Sequence, residues 1–241
     1  MHRKSAFTLM ELLVVVGIIG ILAALLLPTL HNAKEQARRT ACINNLRQIN
    51  TGVRMYADDA HDRSPPVGSA SLYPTGSVWM AYKEMMKKYD GARGTSSAKD
   101  AVFACPSDKW FYNDYNPPRI SQGLHEQGFS DYSSYAFNAG NYHSNFQGVA
   151  GMKFSSIKEP SRTVLVCEAP ALWPFSWHYP HIQSGSINEA HYNNSRNVVS
   201  FVDGHVSYIK MFLDTVNVSI GHQEAWHYNP PTGYDYKWSG D

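Results

Sequence analysis

The chain has 241 residues, of which 17% are charged and 13% are aromatic, and its formal net charge is +1. This length allows one domain of moderate size beside a membrane segment, and the composition argues against a disordered chain. A near-neutral charge without a basic cluster gives no support for nucleic-acid binding.

The first element is an apolar run behind a short basic start. A His-Arg-Lys sequence occupies positions 2–4, and no charged or strongly polar side chain occurs from Leu12 to Leu27. A helix over residues 7–27 would be about 31 Å long, close to the hydrocarbon thickness of a bilayer. Glu11 is the exception, because an ionised carboxylate in a spanning helix costs on the order of 3 kcal/mol and implies a partner.

These residues resemble the N-terminus of type IV pilins and type II secretion pseudopilins. In that family a prepilin peptidase cuts immediately before a Phe, which is then N-methylated, and the fifth mature residue is a carboxylate. The resemblance implies a cut between Ala6 and Phe7, with Glu11 in the fifth place and Pro28 where pilin helices carry a proline. The family normally has Gly before the cut, and this chain has Ala, the smallest replacement.

The resemblance also implies partners and a location. It implies processing by a prepilin peptidase and methyltransferase, contact with membrane lipid, and assembly with other pilin-like subunits and the inner-membrane machinery. The chain would cross the inner membrane once, with residues 1–6 as a cytoplasmic leader, 7–28 as the membrane and assembly helix, and the large domain outside. The positive-inside rule alone is ambiguous, because Lys34, Arg38 and Arg39 lie just beyond the other end of the span.

Two simpler interpretations of the N-terminus stay open. A removed secretory signal also has a basic start and an apolar core, and Ala23-Ala24 offers small residues for a cut. A plain single-span anchor is the other. Both leave Glu11 without a role.

The pattern after Pro28 is amphipathic, with a helical period. Proline kinks a helix without ending it when the pattern resumes at once, so we expect one long bent helix over about Thr8–Asp58. Residues 29–60 form its amphipathic half and 61–241 the globular domain. The apolar stripe comprises Leu30, Ala33, Ala37, Ala41, Cys42, Leu46, Ile49, Val53 and Tyr56.

Three cysteines, Cys42, Cys105 and Cys167, allow at most one internal disulfide outside the cytoplasm. Cys42 with Cys105 is the favoured pair, because Cys42 lies on a helix that must pack against the domain. The alternative is that all three are small buried apolar residues.

The rest of the chain predicts one short helix, over 78–88, and several short strands. The predicted fold is α+β: a long bent N-terminal helix packed on a small antiparallel sheet with long loops. Asp203-Gly204 predicts a type I′ turn joining the last two strands. The predicted strands are Ala101–Cys105, Ser133–Asn138, Thr163–Cys167, Asn197–Val202 and His205–Ile209.

The second half carries a weaker resemblance, to large pilin-like proteins whose ending is called the prepilin-type H-x9-DG region. Here eleven residues, rather than nine, separate His191 from Asp203. His191, Asp203 and His205 are weak candidates for metal ligands, since Asp203 is already explained as a turn residue. The matching motifs are Cys105–Asp108, Ser134–Asn138, Pro160–Thr163 and Asp203–Val206.

No catalytic or phosphate-binding motif occurs in the sequence, and neither an enzymatic activity nor a cofactor is predicted. The favoured function is a structural subunit of a type IV pilus-like or type II pseudopilus-like filament. The alternative is a single-span cell-envelope protein whose large domain binds a polysaccharide or another polymer. Trp226 and Trp238, in an aromatic C-terminal segment, are the candidates for sugar stacking. The interpretation favoured over stacking is that these aromatic residues pin the segment to the domain.

Overall fold

The computed structural model describes residues 8–66, 82–109, 122–139, 148–172, 175–179, 195–212 and 229–241. The chain divides into two units, Met1–Arg38 and Arg39–Asp241. The helices and strands are α1 (Leu9–Asp59), α2 (Tyr82–Asp90), β1 (Tyr135–Phe137), β2 (Val164–Glu168), β3 (Arg196–Phe201) and β4 (Val206–Lys210).

Helix α1 is continuous over 51 residues and contains Pro28. The Thr29 hydroxyl donates to the Leu26 carbonyl at 2.8 Å beside the proline. The helix ends one residue later than predicted, at Asp59, where His61 and Asp62 take left-handed φ angles of 57° and 66°. The prediction of one long helix through the proline is therefore confirmed.

The second half of α1 supplies one wall of the core of the unit Arg39–Asp241. Four side chains on one helical face are fully buried, which is the amphipathic stripe that the sequence predicts. They are Cys42, Leu46, Ile49 and Val53. Leu30, which the stripe also includes, belongs to the first unit and is 66% exposed.

The sheet has four antiparallel strands in the order β1-β2-β3-β4, and it confirms the predicted α+β fold. Every residue of β2 is buried, which explains its continuous apolar run. The β2–β3 register shifts between Val164 and Val166, leaving Leu165 as the extra residue of a bulge. There the Ser200 hydroxyl donates to the Val166 carbonyl at 2.9 Å.

The predicted strand Ala101–Cys105 is wrong. Ala101–Phe103 forms a single 3-10 turn, and Phe103 is buried with its ring against Tyr82 at 6.3 Å. Asp100, just before the turn, pairs with the buried Lys83 at 2.9 Å. A short apolar run cannot by periodicity alone be told from a buried non-strand segment, and here the anchored Asp100 decides the outcome.

Helix α2 is described from Tyr82 and ends at Asp90, two residues later than predicted; residues 78–81 of the predicted helix lie outside the described part of the chain. Tyr82 and Met86 are buried, and Tyr82 stacks on Phe137 with ring centroids 5.6 Å apart. The unexpected feature is that Lys83 and Lys87 are buried as well.

The predicted β3–β4 hairpin is present, but the prediction that a type I′ turn joins its strands is wrong. Gly204 has φ +102°, whereas Asp203 is not among the residues with positive φ. The Gly204 N–H donates to the Phe201 carbonyl and the Phe201 N–H donates to the His205 carbonyl, both at 3.0 Å. This is a three-residue loop closed by a G1 bulge, which needs a left-handed φ only at the glycine.

Candidate functional site

The N-terminal candidate site has Glu11 in the first turn of α1. The Glu11 carboxylate accepts hydrogen bonds from the Thr8 N–H and the Thr8 hydroxyl, both at 2.9 Å. The Thr8 hydroxyl in turn accepts from the Glu11 N–H at 3.2 Å, so the two residues form a capping box. The predicted processing residues Ala6 and Phe7 lie outside the described residues.

The apolar segment that follows Glu11 is exposed from end to end. Every side chain from residue 8 to residue 34 is exposed, and this includes Leu9 at 83% and Leu25 at 67%. By length and composition α1 is the one helix of the described chain that is apolar enough to cross a membrane. A continuous apolar surface of this kind requires lipid or other apolar helices around it.

A second candidate site surrounds a disulfide. Cys42 on α1 is bonded to Cys105, with their Cα atoms 5.1 Å apart, which brings together the pair that the sequence favours. Cys167 is free and buried, and burial raises the pKa of its thiol far above the usual range. A raised pKa keeps that thiol protonated and unreactive.

Two buried polar residues that were not predicted from the sequence lie next to this disulfide: Glu168 contacts it, and His178 contacts Glu168. Glu168, the last residue of β2, lies with its Oε1 atom 3.4 Å from the Cys105 Sγ atom and 2.7 Å from the His178 Nε2 atom. The Glu168 side chain is fully buried, and the His178 side chain is 3% exposed. The sequence signal for Glu168 was its position at the end of a continuous apolar strand, where a charge needs a buried partner.

The weak metal candidates predicted around the hairpin turn have a structural role in the described residues. The Asp203 carboxylate accepts from the His205 N–H at 3.1 Å and contacts the His205 Nδ1 atom at 2.7 Å. The His205 ring stacks on Phe201 with ring centroids 4.2 Å apart. His191 lies outside the described residues. A group of potential metal ligands is found elsewhere, at Cys42, Cys105, Glu168 and His178.

The candidate sugar-binding tryptophan Trp238 is fully buried. Its ring packs edge-on against Tyr236 at 5.8 Å, and its carbonyl accepts from the Asn138 side chain at 2.7 Å. A buried ring cannot stack on a polymer, so this part of the sugar-binding interpretation is wrong, and Trp238 instead holds the described part of the C-terminal segment, residues 229–241, against the domain. Trp226 lies outside the described residues.

The motifs of the second half meet around β1 and the hairpin turn. The Cys105 N–H donates to the Ser134 hydroxyl at 2.9 Å, which joins the motif Cys105–Asp108 to the motif Ser134–Asn138. The Asp203 N–H donates to the Pro160 carbonyl at 3.1 Å, which joins the motif Pro160–Thr163 to the motif Asp203–Val206. Their shared role is to hold loops against the sheet.

Comparison with known sequences separates the two parts of the chain. Residues 31–205 match the family described as "Protein of unknown function (DUF1559)". Residues 1–27 match the prokaryotic N-terminal methylation motif. The motif confirms the pilin-like resemblance of the N-terminus, and it includes Ala6, Phe7 and Glu11.

Curated relatives match over the N-terminal quarter of the chain. The type II secretion system core protein G of Pectobacterium carotovorum is 36% identical over 58 residues, which are 24% of this chain and 37% of the relative. The proteins of the same name from Klebsiella pneumoniae and Vibrio cholerae are 39% and 33% identical, over 24% and 31% of this chain and 42% and 44% of their own lengths. The chain thus spans less than half the length of these relatives. No solved structure matches it.

Proposed function

We propose that this chain, which belongs to the DUF1559 family and carries a prokaryotic N-terminal methylation motif, is a structural subunit of a pilus-like or pseudopilus-like filament. In this proposal the precursor is cut between Ala6 and Phe7, methylated on Phe7 and packed through α1. The similarity of residues in this region to type II secretion system core proteins G supports the proposal.

One observation carries the proposal: a single carboxylate at the start of an exposed apolar helix. Glu11 bonds only within its own turn in the described chain, to Thr8, and the apolar segment beyond it has no cover. Packing the helices of several copies together would cover that surface. A cut before Phe7 creates a positive amine at the helix start, and the amine of a neighbouring copy would neutralise Glu11 in a medium with little water.

The proposal extends to partners, location and the kind of protein. A prepilin peptidase and methyltransferase would act on the leader, and inner-membrane assembly machinery and other pilin-like subunits would receive the mature chain. The single span would place residues 1–6 in the cytoplasm and the large domain outside. The subunit would act by its structure, without catalysis and without a cofactor.

Substitution of Glu11 tests the proposal. We expect Glu11→Ala to insert into membranes normally and to be depleted from sheared surface fibres by about a hundredfold. The substitution leaves the amine of the neighbouring copy without a counter-charge in a medium with little water, at a cost on the order of 3 kcal/mol. The matched control is Glu35→Ala, which removes another carboxylate of α1 that already pairs with Arg38. Equal recovery of both variants in fibres would contradict the proposed role of Glu11.

Comparing the amount of protein in membranes and in sheared fibres also tests the alternative, a single-span envelope protein that binds a polymer. Recovery of the unaltered chain in membranes alone, with none in sheared fibres, would favour that alternative. With Trp238 buried, no described aromatic residue that the sequence singled out is available for stacking on a sugar.

A further inference from the structure

We propose that Cys42, Cys105, Glu168 and His178 form a zinc site in the reduced protein, as the alternative to the disulfide between the two cysteines. The site goes beyond the filament function, since it concerns how the large domain is held together. Zinc and the disulfide would be two exclusive ways of joining α1 to the sheet.

The geometry of the four side chains carries the proposal. Each offers one ligand atom, and all four atoms lie within 4.8 Å of one another. Zinc–ligand bonds of about 2.0 to 2.3 Å put tetrahedral ligands about 3.3 to 3.8 Å apart, so small side-chain rotations suffice once the sulfurs are separate. The residues come from four places in the fold: α1, the segment after the 3-10 turn, the end of β2, and the segment before β3.

The donor set fits zinc rather than a harder cation. Two thiolates, one imidazole and one carboxylate are ligand types that zinc takes, whereas calcium and magnesium require mostly oxygen. The site also has supporting contacts of the kind that orient metal ligands. The Val198 N–H donates to the second oxygen of Glu168 at 2.8 Å, and the His178 ring packs edge-on against Tyr208 at 6.0 Å.

Burial makes the site a closed one. Cys42 and Glu168 are fully buried, Cys105 is 1% exposed, and the His178 side chain is 3% exposed. Four protein ligands without solvent access are typical of structural zinc, which contributes to folding and has no open position for a substrate. Two thiolates and a carboxylate leave one net negative charge after zinc binds. The guanidinium of Arg39 lies 4.6 Å from the centroid of the Tyr208 ring, which in turn packs against the His178 ring.

The two states exclude each other because a sulfur in a disulfide is not a thiolate. When zinc binds the reduced chain, both thiol protons leave and two Zn–S bonds form, with no change in oxidation state. When a disulfide oxidant acts instead, the two thiols lose two electrons and two protons to it, the Cys42–Cys105 bond forms, and no thiolate remains for the metal. The burial of both sulfurs means that the choice is made while the domain folds.

A refolding experiment on the full chain in detergent tests the proposal. The chain is unfolded and treated with a trialkylphosphine, which takes up oxygen from water as the phosphine oxide and leaves two thiols. It is then refolded with zinc chloride or, in a parallel sample, with cobalt chloride. We expect one zinc per chain by elemental analysis and the visible bands of tetrahedral thiolate-bound cobalt, and neither in chain refolded with its disulfide closed.

Variants assign the ligands. We expect His178→Ala and Glu168→Gln to weaken zinc binding by about tenfold or more, while Cys167→Ser keeps it, because that thiol is outside the cluster. His205→Ala is the matched control, since His205 also pairs with a carboxylate but lies on the hairpin turn. A reduced chain that regains its near-ultraviolet circular dichroism without stoichiometric zinc, or one that fails to fold when zinc is supplied, would overturn the proposal. Unchanged binding in both His178→Ala and Glu168→Gln would overturn it as well.

Discussion

The Asp108 carboxylate accepts a hydrogen bond from the Ser134 hydroxyl at 2.7 Å, and both residues are buried. The same carboxylate accepts the N–H groups of Leu124 at 2.9 Å and His125 at 3.0 Å. The Ser134 hydroxyl also accepts from the Cys105 N–H. One pair of polar side chains therefore satisfies the backbone of two loops and fixes the segment that carries Cys105.

Ser134→Ala tests this pair. The substitution leaves the Cys105 N–H without its partner in the core and removes one of the hydrogen bonds that the Asp108 Oδ2 atom accepts, while the His125 N–H still donates to that atom. The free energy of unfolding should therefore fall by about 1 to 3 kcal/mol. Denaturant unfolding of the full chain in detergent measures it. Ser156→Ala, which removes an exposed hydroxyl bonded to the Lys153 carbonyl, should change it by less than about 0.5 kcal/mol. Equal effects would show that the buried pair contributes nothing special.

Asp90 predicts a pH dependence of stability. Burial raises the pKa of Asp90 to about 7, its Oδ2 atom has no hydrogen-bond partner among the described residues, and it ends α2, where the helix dipole disfavours a negative charge. The unfolded chain loses this proton near pH 4, so between about pH 4 and pH 7 the folded state binds more protons. The free energy of unfolding therefore falls as the pH rises through this window and levels off above it.

Asp90→Asn should remove that cost. We expect a gain of about 1 to 2 kcal/mol in the free energy of unfolding at pH 8, where wild-type Asp90 is ionised, and little gain at pH 4. Thermal unfolding at the two pH values measures the difference. Asp58→Asn, at an exposed carboxylate of α1, is the control and should give no pH-dependent gain. A gain of equal size at both pH values would contradict the assignment to ionisation.

Lys83 is a second buried charge, and its removal, unlike that of Asp90, should lower the free energy of unfolding. Its side chain is fully buried, its ammonium group lies 2.9 Å from the Asp100 carboxylate, and it donates to the carbonyls of Asp131 at 2.8 Å and Tyr132 at 3.1 Å. Burial lowers the pKa of Lys83, but these partners compensate the charged form. Lys83→Met keeps most of the volume, leaves Asp100 without its counter-charge and removes the donor to two carbonyls.

We expect Lys83→Met to lower the free energy of unfolding by about 2 to 4 kcal/mol. Lys88→Met is the matched control on the same helix, because the Lys88 side chain is 67% exposed, and it should cost less than about 1 kcal/mol. Denaturant unfolding of both variants decides the matter. A Lys83→Met protein as stable as the control would mean that the ammonium group is not needed to hold these loops.

Trp238 predicts a loss of stability rather than a loss of ligand binding. Truncating this fully buried ring should lower the free energy of unfolding by about 3 to 5 kcal/mol. Tyr234→Ala, at a partly buried ring of the same segment, should cost less. A Trp238→Ala protein of unchanged stability that loses affinity on a glycan array would restore the sugar-binding interpretation.

The sequence predicted the elements that depend on local pattern. The three- and four-residue spacing of Cys42, Leu46, Ile49 and Val53 shows the packed face of α1 directly, because helical period and burial agree. The β3–β4 hairpin was likewise visible from two apolar runs around Asp203-Gly204. The methylation motif depends on a few residues in register, and so it could be recognised without a structure.

What the sequence did not predict depends on contacts between distant segments. Ala101–Phe103 became a 3-10 turn because Asp100 is held by Lys83, which lies on another element. Glu168 and His178 pair next to the disulfide, and the local sequence around each residue gives no indication of that contact. In the hairpin turn, the Asp-Gly pair is compatible with both a type I′ turn and a G1 bulge, and packing selects between them.

Mass spectrometry of the N-terminus of the protein purified from its native membrane tests the central claim most directly. The filament-subunit account predicts a mature chain that begins with N-methylated Phe7 and retains Glu11 as its fifth residue. A chain that still begins at Met1, or one cut near Ala23-Ala24, would contradict it.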